Sequence, residues 1–277
     1  MRMKMTAKDD AERFQGSVHK YAAYLETPEG QLRSDLTFAN LGDFLPTRPA
    51  KDSLFALDLG CGTGAMAVRL ARLGIHVTLL DSSAEMLDIA QRAARQAGVT
   101  AKLAWKHGDV AQLTNLFHAG SFDLILCHNV LEYVEDPDAV LCAAARALRD
   151  SSAILSLLVR NQAGEVLKAA IQAGDLDAAE NSLTAEWAQE SLYGARVRLF
   201  TARGMQEMLK SASLAMTAER GVRVVADYLP PRVSRSDDYQ RIFQLERKLG
   251  SRCEFVPVAR YTQYLAHCAS PVAENRA

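Results

Sequence analysis

The chain has 277 residues, of which 49% are hydrophobic and 23% are charged, as in a folded globular protein with a sizeable core. A formal net charge of −1 excludes a global field that draws the chain to nucleic acid or to a membrane, although local basic patches remain compatible with it. No apolar run approaches the roughly 18 residues that span a bilayer, so the composition also excludes a membrane-embedded protein.

Apolar runs and helix-period segments alternate through the first 160 residues. A helix is predicted over Gln31–Leu45, ahead of Pro46. Ser82 or Ser83 caps a later helix that Gly98 ends. The predicted strands are Leu54–Leu59, Ile75–Leu80, Ala101–Lys106, Phe122–Cys127 and Ala153–Val159, and the predicted helices between them are Gly64–Leu73, Ala84–Ala97 and Pro137–Leu148. This alternation predicts an α/β protein with a doubly wound, Rossmann-like parallel sheet.

The second half of the chain has a different pattern. Asn161–Leu199 is polar with scattered apolar residues and no strong strand signal, so we expect helices and loops that cover a cleft. Helical spacing returns over Ala202–Ser211 and Asp237–Leu249. Strands are predicted over Gly221–Tyr228 and Arg260–His267, and two late strands suit the edge of the sheet, one of them antiparallel.

A glycine-rich turn, Asp58-Leu59-Gly60-Cys61-Gly62-Thr63-Gly64, joins the first predicted strand to the next helix, and Asp81 ends the second strand. Glycines let a backbone approach a ligand closely, and an acid about 20 residues on can accept hydrogen bonds from ribose hydroxyls. The pattern predicts an adenosine-containing cofactor.

Two interpretations of this turn are open. Gly60, Gly62 and Ala65 fit the GxGxxG/A pattern of dinucleotide-binding proteins, which indicates an oxidoreductase that uses NAD(P) or FAD. The spacing Asp58-x-Gly60-x-Gly62-x-Gly64 also fits the DxGxGxG loop of class I S-adenosylmethionine methyltransferases. On the first interpretation the helix N-terminus faces a pyrophosphate, whereas on the second the loop lies against the methionine part of the cofactor.

Three segments further along favour the second interpretation. His107–Val110 follows the third strand where the methyltransferases place an acid, Asp123–Tyr133 resembles their fourth strand and its exit loop, and Glu135–Pro137 opens the next helix. The chain therefore resembles the class I S-adenosylmethionine-dependent methyltransferases. That resemblance implies a seven-stranded, mostly parallel sheet with an antiparallel last strand and a helical cover over the cofactor cleft. It implies one domain, with lid helices in residues 1–50, a cofactor-binding core in 51–160, a cover insertion in 161–200 and a sheet edge in 201–277.

The resemblance also implies roles for particular residues. The three glycines line the methionine side of S-adenosylmethionine, and Asp81 holds the ribose hydroxyls. Asp109 contacts the adenine amino group, the Val110 amide contacts the ring, and His128 lies beside the sulfonium. The full set of cofactor-binding residues that it predicts is Arg33, Asp58, Gly60, Cys61, Gly62, Gly64, Asp81, Ser82, Met86, Asp109, Val110 and His128.

A narrower resemblance covers most of the chain. Gly30–Arg33, Cys127–Pro137, Leu155–Asn161, Gly221–Val224, Asp227–Leu229, Leu245–Glu246 and Arg260–Tyr261 look like the bacterial tRNA wobble-uridine methyltransferases that esterify 5-carboxymethoxyuridine. In that family an arginine matching Arg33 reaches the methionyl carboxylate, which suits a guanidinium because it binds carboxylates bidentately. The family's cover segment is rich in lysine, whereas Gly174–Ser182 of this chain is acidic. Phosphate contacts dominate non-specific nucleic-acid affinity, so this departure weakens the inference of a tRNA partner.

The acceptor decides which residues are catalytic. A carboxylate is ionised at pH 7 and needs no general base, but its charge needs a partner such as Arg223, Arg160 or Arg196. A hydroxyl acceptor needs a base, and His128 is the candidate. We therefore predict His128 and Arg223 as catalytic residues. Tyrosines that could wall the pocket are Tyr21, Tyr24, Tyr133, Tyr193, Tyr228 and Tyr261, and Phe14–Tyr24 is a candidate lid.

Three functions follow as hypotheses: methylation of a modified tRNA nucleoside, methylation of a small anionic metabolite or natural product, and an NAD(P)-dependent oxidoreductase or non-catalytic adenosine binder. The five cysteines are an odd number without CxxC spacing, which predicts free thiols, no metal site and a reducing cytoplasm. The basic start Met1–Met5 is not followed by an apolar region, so no signal peptide and no membrane partner are expected. The oligomeric state is not predicted.

Overall fold

A computed structural model describes residues 18–45, 54–190 and 194–269. Its strands are β1 (Phe55–Leu59), β2 (His76–Asp81), β3 (Leu103–His107), β4 (Leu124–His128), β5 (Ile154–Arg160), β6 (Trp187–Gln189), β7 (Arg196–Arg198), β8 (Leu214–Val222) and β9 (Tyr261–Cys268). Its α-helices are α1 (Val18–Glu26), α2 (Pro28–Gly42), α3 (Ala65–Arg72), α4 (Ala84–Gln96), α5 (Leu113–Leu116), α6 (Pro137–Ala147), α7 (Gln162–Leu167), α8 (Leu176–Ser182), α9 (Ala202–Ser211) and α10 (Tyr239–Gly250). None of the helices in these ranges has the length and apolarity to cross a membrane.

Across the described residues, seven strands form one sheet in the order β3-β2-β1-β4-β5-β9-β8. The strands from β3 to β5 pair in parallel, and β9 is antiparallel to both β5 and β8. The predicted fold is confirmed, including the antiparallel last strand. This one sheet takes strands from the first half and the second half of the chain. The single domain and its four-part division stay predictions.

Helices cover both faces of the sheet because side chains alternate along each strand. Leu57 and Leu59 of β1 pack with α6 and α9 on one face, whereas Ala56 packs with α3 and α4 on the other. A third apolar cluster, which includes Leu36 of α2 and Ile242 of α10, lies beside β5, β8 and β9. The sheet is therefore buried on both sides, and its polar residues concentrate where strands end.

The topology places the ends of several strands side by side at one edge of the sheet, where a site can form. The carboxyl ends of β1, β2, β4, β5 and β8 share an edge with the amino end of the antiparallel β9. Chain order reverses between β1 and β4, and ligands of open α/β sheets bind at such a point. Arg160 pairs with Tyr261, and Tyr261 pairs with Val222, so the ends of three neighbouring strands meet beside His128 at the end of β4.

The cover segment departs from the predicted helices and loops. It contains α7, a turn of π-helix over Lys168–Ala173 and α8, as expected, but also an antiparallel ribbon of β6 and β7. Each of these strands has three residues, which is too short for a period-of-two pattern to stand out from a polar background. Residues 1–17 and Tyr193, which the lid and pocket-wall hypotheses include, lie outside the described residues.

The strand predicted over Gly221–Tyr228 is wrong in its bounds. β8 begins at Leu214 and ends at Val222, and a turn of 3₁₀-helix covers Ala226–Tyr228. The apolar valines that suggested the strand therefore mostly follow it. The reason lies in Glu246 of α10, which draws the backbone away from the strand ladder, as described below.

Candidate cofactor and acceptor site

The glycine turn adopts the left-handed backbone conformation that its sequence suggests. Gly60, Gly62 and Gly64 have φ values of 59°, 53° and 75°. A Cβ at Gly60 would lie 2.7 Å from a methyl of Val130, and a Cβ at Gly64 would lie 2.8 Å from the Cβ of Ala90. The turn therefore needs glycine both for its backbone angles and for its packing against α4 and the exit of β4.

Asp81 connects the glycine turn to the start of α4. The Gly62 N–H donates to Oδ2 of Asp81 over 2.8 Å, and the Ser83 N–H donates to Oδ1 over 2.8 Å. Burial raises the pKa of Asp81, although the backbone N–H donors act to lower it. A carboxylate has about four lone-pair sites, so Asp81 keeps acceptor capacity for the ribose hydroxyls that the resemblance assigns to it.

Asp58, at the end of β1, is a buried acid with an unsatisfied oxygen. Its side chain is 4% exposed, and within the described ranges its Oδ2 has no hydrogen-bond partner. Burial and the neighbouring charge of Asp81 raise its pKa to about 7. A buried carboxylate oxygen without a partner is costly, and a cationic group satisfies it. The residue therefore fits a positively charged ligand at the glycine turn.

The other predicted residues of the cofactor-binding half surround this turn in different ways. Met86 is buried in α4, and its N–H donates to the capping hydroxyl of Ser83 over 3.2 Å, whereas Ser82 is exposed. Cys61 is half-buried, and its N–H donates to the Leu80 carbonyl over 3.1 Å. The structure thus makes Ser83 the cap and leaves the Ser82 side chain exposed.

Asp109 and Val110 lie beside Asp81 at the end of β3. The Gly108 N–H donates to the Asp81 carbonyl over 3.0 Å, which fixes their turn against the end of β2. Oδ1 of Asp109 accepts from the Ala111 N–H over 2.8 Å and so caps a turn of 3₁₀-helix. Its other oxygen leaves acceptor capacity for an amino group, so the adenine contact stays a prediction.

Arg33 of α2 is a buried cation held by aromatic rings. It is 8% exposed, its Nη2 donates to the Tyr21 hydroxyl over 3.2 Å, and its guanidinium carbon lies 5.0 Å from the ring centroid of Tyr24. A Cβ on Gly62 would lie 3.2 Å from the Tyr21 ring, so this ring links Arg33 to the glycine turn. No carboxylate of the described residues pairs with Arg33, which fits the capture of a ligand carboxylate.

His128 ends β4 beside Arg33. One ring nitrogen, Nε2, lies 2.8 Å from Oγ of Ser156, and the other, Nδ1, is buried without a partner in the described part of the chain. Burial and the charge of Arg33 lower the pKa of His128 to about 3. The imidazole is therefore neutral at pH 7 and weakly basic. This argues against His128 as general base, because such a base works best with a pKa near ambient pH.

Four arginines surround one tyrosine ring at the same edge of the sheet. Their guanidinium carbons lie 5.6 to 6.0 Å from the ring centroid of Tyr261. Burial acts to raise the pKa of Tyr261, but the four positive charges outweigh it and lower that pKa to about 8. The guanidinium cluster, as we name it, comprises Arg33, Arg160, Arg223 and Arg260 around Tyr261.

Carboxylates balance part of this positive charge. Glu165 lies 3.1 Å from Arg160 and 2.6 Å from Arg260. Glu190 lies 3.6 Å from Arg160, and Asp227 accepts from Nε of Arg223 over 2.8 Å. The cluster is therefore a network of charges drawn from β5, α7, the β6–β7 ribbon and the segments after β8 and before β9, rather than a single ion pair.

Arg223 occupies a turn and not the predicted strand. Its φ is 61°, an uncommon value for a residue with a Cβ, and its Nη1 donates to the Tyr24 hydroxyl over 3.0 Å. Glu246 fixes the turn because its carboxylate accepts from three consecutive backbone N–H groups over 2.6 to 2.9 Å. Glu246 is fully buried and was not among the predicted site residues, although a lone acid between apolar residues of a helix is a signal for such a role.

Arg196, the third candidate for the acceptor charge, lies outside the guanidinium cluster. Its guanidinium carbon and that of Arg198 each lie 4.6 Å from the centroid of the Trp187 ring. Of the three candidates, the structure brings Arg160 and Arg223 together and places Arg196 on the ribbon. The sequence did not predict Arg260 as a site residue, because its part in the cluster depends on pairing between strands more than 90 residues apart.

Comparisons with known proteins agree with this geometry. Residues 57–156 match the family described as "Methyltransferase domain". Among solved structures, a S-adenosylmethionine-dependent methyltransferase from Methanosarcina mazei has a TM-score of 0.56 at 19% identity and covers 83% of this chain and 97% of its own. The cyclase SpnF has a TM-score of 0.54 at 20% identity and covers 83% of this chain and 80% of its own, so the fold by itself does not fix the reaction.

The chain is a S-adenosylmethionine-dependent methyltransferase, and its cofactor is S-adenosylmethionine. It is 29% identical over 265 residues to the tRNA 5-carboxymethoxyuridine methyltransferase of Escherichia coli (strain K12), covering 93% of this chain and 94% of that protein. It is 33% identical over 121 residues to the ubiquinone biosynthesis O-methyltransferase of Pectobacterium atrosepticum, covering 42% and 47%. The oxidoreductase interpretation of the glycine turn is therefore wrong.

Proposed function

We propose that the chain transfers a methyl group from S-adenosylmethionine to a carboxylate oxygen of an anionic acceptor, which the guanidinium cluster holds. The charge balance of the cluster carries this proposal. Lys168 lies near it, since burial and the charge of Arg260 lower the pKa of Lys168. Four guanidinium groups and one ammonium thus face the carboxylates of Glu165, Glu190 and Asp227, and the buried carboxyl group of Glu132 also acts on Arg160. The five positive groups outnumber these four acids, so the cluster suits an anionic ligand.

Each part of the site has a defined task in this proposal. Arg33 holds the methionyl carboxylate, Asp81 holds the ribose hydroxyls, Asp109 contacts the adenine, and Asp58 faces the positive charge of the cofactor. S-adenosylmethionine supplies an electrophilic methyl group when it is bound. Arg223 and its neighbours orient the acceptor so that its oxygen forms a bond to the methyl carbon as the carbon–sulfur bond breaks. No proton moves in this step, so the chain contributes position rather than a base.

We further propose that the acceptor is a 5-carboxymethoxyuridine in tRNA. Similarity to the Escherichia coli enzyme of that name covers 93% of this chain and 94% of that protein. The β6–β7 ribbon offers a second argument, because the stack of Arg196 and Arg198 on Trp187 is a cationic and aromatic surface of the kind that contacts nucleic acid.

A small anionic metabolite is the second candidate acceptor. The observation that favours it is the acidic stretch of the cover, in which Asp175, Asp177 and Glu180 are exposed. These charges repel a phosphate backbone, whereas a small acid that enters the cluster would not meet them.

A methyl-transfer assay tests both acceptors. Radiolabelled S-adenosylmethionine is incubated with the protein and with tRNA carrying carboxymethoxyuridine, with unmodified tRNA, or with small carboxylic acids. We expect label in the first tRNA alone, and we expect mild alkali to release it as methanol, because methyl esters hydrolyse and methyl ethers do not. Label that survives alkali would overturn the carboxylate proposal, and label in small acids alone would favour the second acceptor.

The cluster is tested by Arg223→Gln. We expect kcat/KM for the acceptor to fall by roughly 10- to 100-fold, since a charge-assisted contact contributes about 1.5–3 kcal/mol, with affinity for S-adenosylhomocysteine unchanged. Arg223→Lys should recover part of the loss because it keeps the charge without bidentate geometry. Arg220→Gln is the matched control, since Arg220 of β8 comes three residues before Arg223 and lies over the ring of Phe44 rather than that of Tyr261. Equal losses in Arg223→Gln and Arg220→Gln would exclude the assigned role.

A further inference from the structure

A chain of buried polar side chains ends at His128. Nδ2 of Asn40 donates to Oε1 of Gln263 over 3.2 Å, Nε2 of Gln263 donates to Oγ of Ser156 over 3.0 Å, and that Oγ lies 2.8 Å from Nε2 of His128. Gln263 and Ser156 are fully buried, and Asn40 is nearly so. Protein groups therefore determine the hydrogen positions along this chain.

The amide orientation of Gln263 is fixed from its other side. Its Nε2 also lies 3.2 Å from the carbonyl oxygen of Thr37, which can only accept. The nitrogen must therefore face both Thr37 and Ser156, and the oxygen must face the Asn40 amide. Ser156 consequently receives a hydrogen bond from Gln263 and has one hydrogen of its own left to donate.

The hydroxyl hydrogen of Ser156 has one acceptor within reach in the described part of the chain, and that acceptor is Nε2 of His128. A nitrogen that accepts carries no proton, so in a neutral imidazole the proton is on Nδ1. We propose that Gln263 and Ser156 are positioning residues that hold His128 as its Nδ1–H tautomer, a hydrogen-bond donor toward a ligand carboxylate rather than a base.

Two further observations support a donor role. The Nδ1 atom is buried without a partner among the described residues, and Arg33 is close enough to act on the charge of His128. A buried N–H next to a guanidinium that pairs with no carboxylate of the described residues fits an anion. The role toward the acceptor rests on the proposed function, because a carboxylate accepts this bond and needs no base. The tautomer itself does not depend on which acceptor the enzyme uses.

Nitrogen NMR of the free protein tests the tautomer without any substrate. The chain has six histidines, and their ring nitrogens are labelled with ¹⁵N; the pair that disappears in His128→Leu identifies His128. At pH 7 we expect a protonated Nδ1 and an unprotonated Nε2. Ser156→Ala should shift the ring toward the Nε2–H form, Ser156→Thr should restore the wild-type pattern, and Ser152→Ala, at an exposed serine, should change nothing. A wild-type ring with its proton on Nε2 would overturn the inference.

Binding and activity measurements then identify the carboxylate that the donor faces. An asparagine amide can take the place of Nδ1–H, so we expect His128→Asn to keep activity within about tenfold of the wild type and His128→Leu to lose far more. If the donor faces the cofactor, His128→Leu weakens S-adenosylhomocysteine binding but leaves methylthioadenosine, which lacks the carboxylate, unaffected. If it faces the acceptor, only the acceptor KM rises. Equal inactivity of His128→Asn and His128→Leu, together with wild-type activity that rises with pH as a base loses its proton, would show that His128 acts as a base instead.

These results separate the two proposals. The NMR result can fail while the methyl-transfer assay still yields an alkali-labile product, in which case the tautomer assignment alone is wrong. The opposite result is an imidazole with its proton on Nδ1 in an enzyme that makes alkali-stable methyl ethers. That result would support the positioning roles of Gln263 and Ser156 and would overturn the proposal of a carboxylate acceptor.

Discussion

The two halves of the proposed site have opposite charge and are built differently. On the cofactor side, Asp58 and Asp81 lie at the carboxyl ends of β1 and β2, Asp109 follows the neighbouring β3, and the three acids surround a glycine turn. On the acceptor side, arginines from β5 and the segments around β8 and β9 surround Tyr261. His128 lies between them, where β4 ends. An acid-lined half suits a cationic, hydroxyl-bearing cofactor, and a guanidinium-lined half suits an anion.

The difference shows how each kind of site is encoded. The cofactor side needs about fifty consecutive residues and acts mainly through backbone turns, so its geometry is largely local. The acceptor side joins residues as far apart as Arg160 and Arg260, and their charges depend on each other through a shared carboxylate, that of Glu165. We therefore expect substitutions on the cofactor side to change cofactor affinity and those on the acceptor side to change acceptor turnover.

The largest expected effect concerns Asp58→Asn and the pH dependence of stability. The folded protein holds a proton on Asp58 up to about pH 7, whereas the unfolded chain loses it near the usual carboxyl pKa. Between those values the folded state binds more protons, so the free energy of unfolding falls as pH rises through that window. A shift of about three pKa units corresponds to at most about 4 kcal/mol. Asp58→Asn should remove this fall and be more stable than the wild type at pH 8.

Urea unfolding at pH 5, 6, 7 and 8 measures that prediction. Other buried acids change stability in the same direction, so the informative quantity is the difference between wild type and variant. Asp88→Asn, at an exposed acid of α4, provides the control and should follow the wild-type curve. If the free energy of unfolding changed with pH equally in wild type and Asp58→Asn, Asp58 would be ionised at every pH tested. Burial would then not raise its pKa as described here.

The contrast between local and distant contacts also explains which parts of each half could be predicted from the sequence. The doubly wound sheet and the glycine turn were predictable because periodicity and glycine spacing are local signals, and the left-handed angles of Gly60 and Gly62 confirm the turn. The cap of α4 was narrowed to two serines, and the structure selects Ser83. On the acceptor side the sequence indicated Arg223 but assigned it to a strand, because the valines around it resemble one.

What the sequence could not show depends on distant partners. The turn at Arg223 exists because Glu246, more than twenty residues later, accepts from three consecutive N–H groups. The basicity of His128 could not be read from its neighbours in the chain, since Arg33 and Ser156 set its environment. The β6–β7 ribbon was missed because three-residue strands carry almost no periodic signal.

Glu246→Gln should have the next largest effect and should act on the acceptor side alone. The amide places an N–H donor against a backbone donor and removes the charge that three N–H groups share, so we expect a loss of about 3 kcal/mol in the free energy of unfolding. Because the turn positions Arg223, acceptor kcat/KM should fall while S-adenosylhomocysteine affinity stays constant. Glu207→Gln, at an exposed acid of α9, should change stability by less than about 0.5 kcal/mol. A drop in cofactor affinity as large as the drop in turnover would contradict the separation of the two halves.

Asp81→Asn should have the smallest of the three effects in free energy and the opposite selectivity. The carboxylate accepts from Gly62 and Ser83, so an amide removes one charge-assisted bond to the turn and weakens any bond to ribose. Loss of about 1.4–2.7 kcal/mol corresponds to a 10- to 100-fold weaker affinity for S-adenosylhomocysteine, which calorimetric titration measures. Asp88→Asn again serves as the matched control.

With cofactor at saturation, the acceptor KM of Asp81→Asn should equal that of the wild type, because no residue of the guanidinium cluster contacts Asp81 in the described chain. A changed acceptor KM under those conditions would show that the acidic and basic halves are coupled by way of Tyr21, whose ring faces the glycine turn at Gly62 and whose hydroxyl accepts from Arg33.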